Sequence, residues 1–216
     1  MLMVAYDFRH IDAWVFDLDN TLYPPQMRLF DQIEVRMTDY VSRTLRIDRD
    51  HADHLRTTYW QKYGTTLAGL MAEHGVDPDP YLDHVHDIDF SPLQPDPQLA
   101  KNIAALPGRK IVYTNGSKPY AEQVLAARGL GGLFDQVYGV EHADYRPKPE
   151  RAAFERVFEI DGLKPEAAAM FEDDPRNLSA PHQMGMRTVH VAPVAQHEPH
   201  IHYHTDDLAY FLSLLA

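Results

Sequence analysis

The sequence predicts an α/β protein: a parallel sheet with helices on both faces, interrupted after its first strand by a wholly helical insertion. Three observations predict it. Trp14-Val15-Phe16 is a short, bulky, apolar run that ends at once in Asp17, the signature of a buried strand. From Asp96 onward, strand-like runs alternate with helical stretches of about ten residues, the pattern of a parallel sheet with helical crossovers. Between these, from Pro24 to Pro97, apolar residues recur at helical spacing and no strand pattern is evident. Residues 1–23 and 96–216 are therefore expected to form the core, and residues 24–95 an inserted helical cap.

The elements follow in order. Leu29, Ile33, Met37, Tyr40, Val41 and Leu45 recur every three or four residues, so an amphipathic helix is expected there. Further helices are expected over Asp50–Tyr63 and Thr65–His74, with Gly64 and Gly75 as stops. Asp77-Pro78-Asp79-Pro80 reads as a turn with a helix start, and the proline-rich run from Asp89 to Pro97 as a linker. Strands are then expected at Lys110–Tyr113, Gln136–Val140, Ala168–Phe171 and Arg187–Val191. Helices are expected at Gln98–Leu106, Pro119–Arg128, Pro149–Glu159, Leu178–Met184 and Asp206–Leu215.

Composition narrows the function. The chain of 216 residues has 32 acidic and 20 basic residues and a net charge of −12. Broad binding to a nucleic-acid polymer or to an anionic membrane needs a basic face, so neither partner is expected. No run of about 18 apolar residues is present, and the first residues lack the basic and apolar regions of a signal peptide. There are no cysteines, which excludes disulfides, thiolate metal sites and cysteine nucleophiles. A cytoplasmic location is the default expectation.

Polar residues stand where the expected strands end. The first ends at Asp17 and Asp19, the second at Thr114 and Asn115, and a later one at Glu172, Asp173 and Asp174. Lys148 follows another strand, just before a helix. In an open parallel sheet, the carboxyl ends of the strands converge on one edge, where ligands bind. Carboxylates there suit a hard cation such as Mg²⁺ when a phosphate is also present. The Thr114 hydroxyl and the turn after it suit phosphate oxygens, and Lys148 supplies a point charge. What remains is one carboxylate free to attack phosphorus and another to move a proton. Each piece alone is also an ordinary turn or helix start; their joint occurrence after successive strands is what carries the reading.

With these residues in view, the sequence resembles the haloacid dehalogenase superfamily of phosphohydrolases. Phe16-Asp17-Leu18-Asp19-Asn20-Thr21-Leu22 looks like its first motif, Thr114-Asn115-Gly116 its second, Lys148-Pro149 its third and Phe171-Glu172-Asp173-Asp174 its fourth. The resemblance implies a Rossmann-like core with a helical cap over the site. Leu22-Tyr23-Pro24, Tyr113-Thr114-Asn115-Gly116 and the run from Phe171 to Leu178 resemble the pyrimidine 5′-nucleotidase branch, although Asp174 stands where that family often has serine. By that resemblance Asp17 is the nucleophile and Asp19 the acid and base. Thr114, the Asn115 backbone and Lys148 hold the phosphoryl group. Mg²⁺ sits on Asp17, the Asp19 carbonyl and Asp173, with Glu172 or Asp174 reaching it through water. The implied substrate is a small phosphomonoester, a pyrimidine nucleoside monophosphate such as UMP or CMP. A sugar phosphate, phosphoglycolate, a phosphomutase reaction or an inactive binding protein are the alternatives. The second aspartate, Asp19, favours phosphate chemistry over dehalogenation, because haloacid dehalogenases proper lack it.

Two features lie outside these motifs. Tyr40, Tyr59, Trp60, Tyr63 and Tyr81 are expected mainly to pack the helical insertion. His197, His200, His202 and His204 form a cluster, but no carboxylate or cysteine completes a ligand spacing. The alternation through Ile201-His202-Tyr203-His204 instead predicts a short edge strand with His202 and His204 on one exposed face.

Overall fold

A computed structural model of the protein describes residues 2–215. The chain opens with helix α1 (Leu2–Phe8) and strand β1 (Ala13–Phe16). Four helices follow without a strand: α2 (Leu29–Leu45), α3 (Arg49–Tyr63), α4 (Thr66–His74) and α5 (Pro78–His86). Alternation then begins with α6 (Pro97–Ala105), β2 (Arg109–Tyr113), α7 (Lys118–Ala127), β3 (Gln136–Tyr138) and α8 (Arg151–Asp161). It ends with β4 (Ala168–Glu172), α9 (Ser179–Gln183), β5 (Arg187–Val191), β6 (Tyr203–Thr205) and α10 (Leu208–Ser213).

All the strands pair in parallel, in the order β3-β2-β1-β4-β5-β6. The chain winds outward from β1 through β2 to β3, then returns to the other side of β1 and winds outward again. The switch point therefore lies between β1 and β4, where such sheets open a crevice at their carboxyl ends. Period-two alternation divides the side chains between two cores. Trp14, Phe16, Val112 and Phe171 face one side with Leu99, Val124 and Phe211, and the Phe16 and Phe171 rings stack at 4.8 Å. Val15, Ile111, Tyr113 and Met170 face the other, against Phe154, Val157 and Phe158 of α8.

The helical block has its own reasons for standing. Asp48 and Thr65 accept hydrogen bonds at the starts of α3 and α4. Tyr40 meets Tyr81 edge-on at 5.1 Å, and Tyr59 meets Tyr63 in the same way at 5.9 Å. Most of the aromatics pack the insertion, as expected, but Trp60 remains partly exposed. α3 and α4 approach closely at Gly69, where a Cβ would lie 2.3 Å from Tyr59 Cγ. Where the block rejoins the sheet, buried Arg128 donates to the carbonyls of Leu22 and Gln94 and pairs with Asp96. One guanidinium thus clasps both connections.

The structure amends the sequence expectations in four places. Helix α1 was not expected; its Phe8 stacks 6.1 Å from Trp14 and meets Phe211 edge-on, so tertiary packing supports a seven-residue helix. The helix start at Asp77 runs on to His86, because Tyr81, Leu82 and Val85 share a buried face. The strand expected at Gln136–Val140 stops at Tyr138, where Gly139 opens a 3₁₀ turn. β6 is an edge strand, but of the two histidines only His202, which stands just before it, is exposed. His204 is half-buried beside His190, with ring centroids 5.5 Å apart, and its Nε2 bonds the Ala192 carbonyl.

Candidate active site

The site is built on β1, whose four residues are all buried and whose end delivers Asp17 into the switch-point crevice. Lys148 is 1% exposed and bridges two carboxylates: its Nζ donates to Asp17 Oδ1 and to Glu172 Oε2, each at 2.6 Å. A third bond, to the Tyr113 carbonyl at 3.1 Å, anchors the ammonium to the end of β2. Burial alone would lower the ammonium pKa, but Asp17 and Glu172 outweigh it and hold the group above its ordinary range. The other oxygen of Asp17 accepts from the Thr21 hydroxyl at 3.1 Å. Burial and then Glu172 push the Asp17 carboxyl up, opposed by Lys148.

Asp19 is oriented differently. Its Oδ1 accepts from two phenols, Tyr23 at 2.6 Å and Tyr120 at 2.5 Å. Its carboxyl is pushed up to about 6 by burial and then by Asp17, against the two phenolic bonds. A carboxyl in that range can hold a proton near neutrality and can also release it, which suits proton transfer.

Thr114 is buried, and its Oγ1 accepts from the Gly116 N–H at 2.9 Å, which leaves the hydroxyl proton free to point elsewhere. The Asn115 side chain turns to the Lys148 loop. Its Oδ1 accepts from the Lys148 N–H at 2.8 Å and its Nδ2 donates to the Lys148 carbonyl at 3.1 Å. The Asn115 N–H has no backbone partner among the described residues. Thr114 and Asn115 both line the crevice, and the Asn115 side chain also sets the lysine in place.

Asp17, Glu172 and Asp173 bring carboxylate oxygens within 4.8 Å of one another. Against them stands one ammonium, that of Lys148. The Asp173 carboxyl is pushed well above its ordinary range by burial, then by Glu172 and Asp17. Such an excess of buried negative charge, all of it oxygen, fits a hard divalent cation. Asp174 is not part of the cluster. Its carboxylate caps the turn at Arg176 N and pairs with the Arg176 guanidinium at 2.6 Å.

Above the cluster lies a cavity of about 510 Å³ between the sheet edge and the helical block. Phe30, Ile33, Met37 and Leu82 supply apolar wall, and Glu34, Arg56 and Tyr81 supply polar groups. Trp60 lines it from α3, with the Arg176 guanidinium 3.9 Å from its ring centroid, so a cation–π contact joins block and core at the rim.

All the site residues expected from the sequence, namely Asp17, Asp19, Thr114, Asn115, Lys148 and Asp173, lie around this one crevice. Sequence reasoning missed the work of Tyr23, Tyr120, His86 and Arg128. Tyr23 was visible as part of a motif continuation. Tyr120 reaches Asp19 across 101 residues, a pairing that no local periodicity reveals.

A doubly wound sheet carries a carboxylate–lysine–carboxylate bridge at its switch point, roofed by helices, which makes this an α/β protein with a ligand crevice at the carboxyl ends of its strands. Residues 11–185 match the haloacid dehalogenase-like hydrolase family, and the chain belongs to that family. It is similar to phosphate metabolism protein 8 of Saccharomyces cerevisiae, 30% identical over 208 residues, covering 86% of this chain and 63% of the yeast protein. The chain therefore spans less than two thirds of that relative. Among solved structures it is similar to a HAD phosphatase from Thermococcus onnurineus (TM-score 0.64, 19% identity, 95% of this chain and 98% of the other). A magnesium-bound HAD-hydrolase from Bacillus subtilis has a TM-score of 0.59 at 16% identity, over 95% and 98% of the two chains. The L-2-haloacid dehalogenase of Xanthobacter autotrophicus, with chloropropionic acid covalently bound, has a TM-score of 0.52 at 19% identity, over 86% and 79%. At these identities the structures share the fold.

Proposed function

We propose that the protein is a Mg²⁺-dependent phosphomonoester hydrolase working through an aspartyl-phosphate on Asp17, with pyrimidine nucleoside monophosphates as its substrates. The observation that carries this reading is the pair of carboxylates at the end of β1. Asp17 is gripped by Lys148 and Thr21, and Asp19 is held apart by Tyr23 and Tyr120.

In this reading an Asp17 oxygen attacks phosphorus as the bond to the leaving oxygen breaks. The Asp19 carboxyl gives its proton to that oxygen. Water then attacks the aspartyl-phosphate, Asp19 takes the proton from the water, and inorganic phosphate leaves with Asp17 restored. Lys148, Thr114 and the Asn115 N–H hold the phosphoryl oxygens, and positioning with charge neutralisation supplies most of the rate. Asp17, Asp173 and the Asp19 carbonyl would hold Mg²⁺, which when bound supplies charge neutralisation at the phosphoryl oxygens. Residues 24–95 act as a cap over residues 1–23 and 96–216.

A cavity of about 510 Å³ lies within the ordinary range for a small-molecule site, and its mixed wall suits a leaving group with an apolar face and polar edges. The branch-like motifs around Tyr23, Thr114 and Glu172 favour a pyrimidine nucleotide. The net charge of −12 argues against a nucleic-acid polymer as partner, and no helix among the described residues is long and apolar enough to cross a membrane. A cytoplasmic location belongs to the same reading.

Phosphate release from a panel of nucleoside monophosphates, sugar phosphates and phosphoglycolate, with Mg²⁺ present, tests it. Preference for UMP or CMP over AMP and GMP is expected. Preference for a sugar phosphate or phosphoglycolate would discard the pyrimidine assignment and keep the hydrolase. Release from none of them would discard both.

A further inference from the structure

We propose that Tyr23 and Tyr120 are positioning residues that lock the Asp19 carboxylate by one oxygen, and that His86 of the helical block seats Tyr120 in that lock. The inference rests on the phosphohydrolase reading above and assigns the helical block a part in aligning the proton donor.

The geometry begins at one atom. Both phenols donate to Asp19 Oδ1, at 2.6 and 2.5 Å. An aspartate side chain turns about two torsions, and two donors converging on one oxygen from different elements restrain both. The second oxygen, Oδ2, is left as the working face. The phenols are themselves immobile: Tyr23 is 1% exposed and Tyr120 fully buried. Each hydroxyl, buried with Asp19 as its acceptor, is committed as a donor to that one oxygen. A purely apolar role would be served as well by phenylalanine, without burying a hydroxyl.

The seat of Tyr120 is shared between core and block. The His86 imidazole, at the end of α5, lies nearly parallel to the Tyr120 ring, 4.2 Å between centroids and 7° between planes. His86 is fixed in turn by Ser117, whose Oγ lies 3.1 Å from Nδ1. Gly116 leaves room for the ring, since a Cβ there would come within 2.9 Å of Tyr120 Cδ1. A line of contacts thus runs from α5 through His86 and Tyr120 to Asp19. The sequence conceals it because its members lie in three separate segments.

The experiment uses the whole chain with Mg²⁺ and two esters: p-nitrophenyl phosphate, whose leaving group needs little protonation, and glycerol 2-phosphate, whose alkoxide needs it. The readout is the ratio of kcat/KM for the aryl ester to that for the alkyl ester, which isolates the step in which the leaving oxygen is protonated. Tyr120→Phe is expected to raise this ratio roughly tenfold or more, within the range general-acid catalysis supplies. His86→Ala should raise it in the same direction, and His86→Phe, which keeps a flat ring on Tyr120, should return it to within about threefold of the unmodified protein. His86 is half-buried, so its variants test the lock even if Tyr120→Phe fails to fold. Equal losses on both esters, or an unchanged ratio in His86→Ala, would overturn the lock while leaving the hydrolase intact. An unmodified protein that releases phosphate from neither ester, nor from UMP or CMP, would overturn the hydrolase and the lock with it.

Discussion

Lys148 carries a buried charge between two others, and the balance around it is deliberately uneven. One ammonium serves Asp17 and Glu172, while Asp173 is left with no cationic partner among the described residues. A carboxyl whose folded pKa is raised binds more protons folded than unfolded. Stability is then present below the unfolded pKa and lost as pH rises through the folded one. Near neutrality and without a divalent cation, Asp173 therefore costs stability. Asp173→Asn should raise Tm in chelator by about 2 °C or more, the change roughly 1 kcal/mol gives in a chain of this size. Mg²⁺ should raise the Tm of the unmodified protein and have much less effect on the variant. A lower Tm for the variant in chelator would refute this account. At Asp17 the expectation concerns turnover: Asp17→Asn should lose roughly 10³-fold or more of kcat with its circular dichroism unchanged. Substantial residual turnover in a folded variant would remove Asp17 from the role of nucleophile.

At the scale of elements, α3 and α4 of the helical block meet at Gly69, where there is no room for a side chain. Helix propensity alone makes a Gly→Ala change there favourable by about 1 kcal/mol. The Tyr59 ring reverses the sign, because the new methyl would lie 2.3 Å from Cγ and 2.4 Å from Cβ, atoms that cannot swing aside. Gly69→Ala should destabilise by about 1–3 kcal/mol, the usual cost of overpacking. The urea midpoint should fall with an unchanged m-value. A higher midpoint would show that α3 and α4 can separate without cost. Tyr59, the neighbour that creates this constraint, also has its hydroxyl 2.7 Å from His74 Nε2.

At the scale of the molecule, what could be read in advance followed from periodicity. Strands such as Trp14–Phe16 and Ala168–Phe171 are buried on both faces and so are apolar throughout. Asp17 and Glu172 stand directly at strand ends, where a charge next to an apolar run is conspicuous, and Lys148 stands between two prolines just before α8. Tyr120 could not be read in the same way. It lies on the buried face of an ordinary amphipathic helix, and its function resides in one hydroxyl aimed at a distant carboxylate. Arg128 was equally hidden, since an arginine at a helix end suggests a dipole effect and not a clasp on two distant carbonyls. Helix α1 escaped because a single seven-residue amphipathic stretch takes its support from Trp14 and Phe211, not from its own sequence.

The pairing of β1 has a consequence for how the chain assembles. Ala13 pairs with Arg109 on one side and with Ala168 on the other, so neither partner of the central strand is near it in sequence. Joining β1 to β2 closes a loop that contains the whole helical block, and the entropy of that closure opposes early pairing. The block itself packs through sequence neighbours, α2 on α3 and α3 on α4. It is expected to form first and, by drawing its ends together, to shorten the loop the sheet must close. Pulse-labelling hydrogen exchange during refolding should find amides of α2–α4 protected before those of β1, and simultaneous protection would refute that order. Until the sheet closes, the apolar edges of β1 stand open, which makes the interval after the block forms and before β4 docks the time at which this chain is most prone to aggregate.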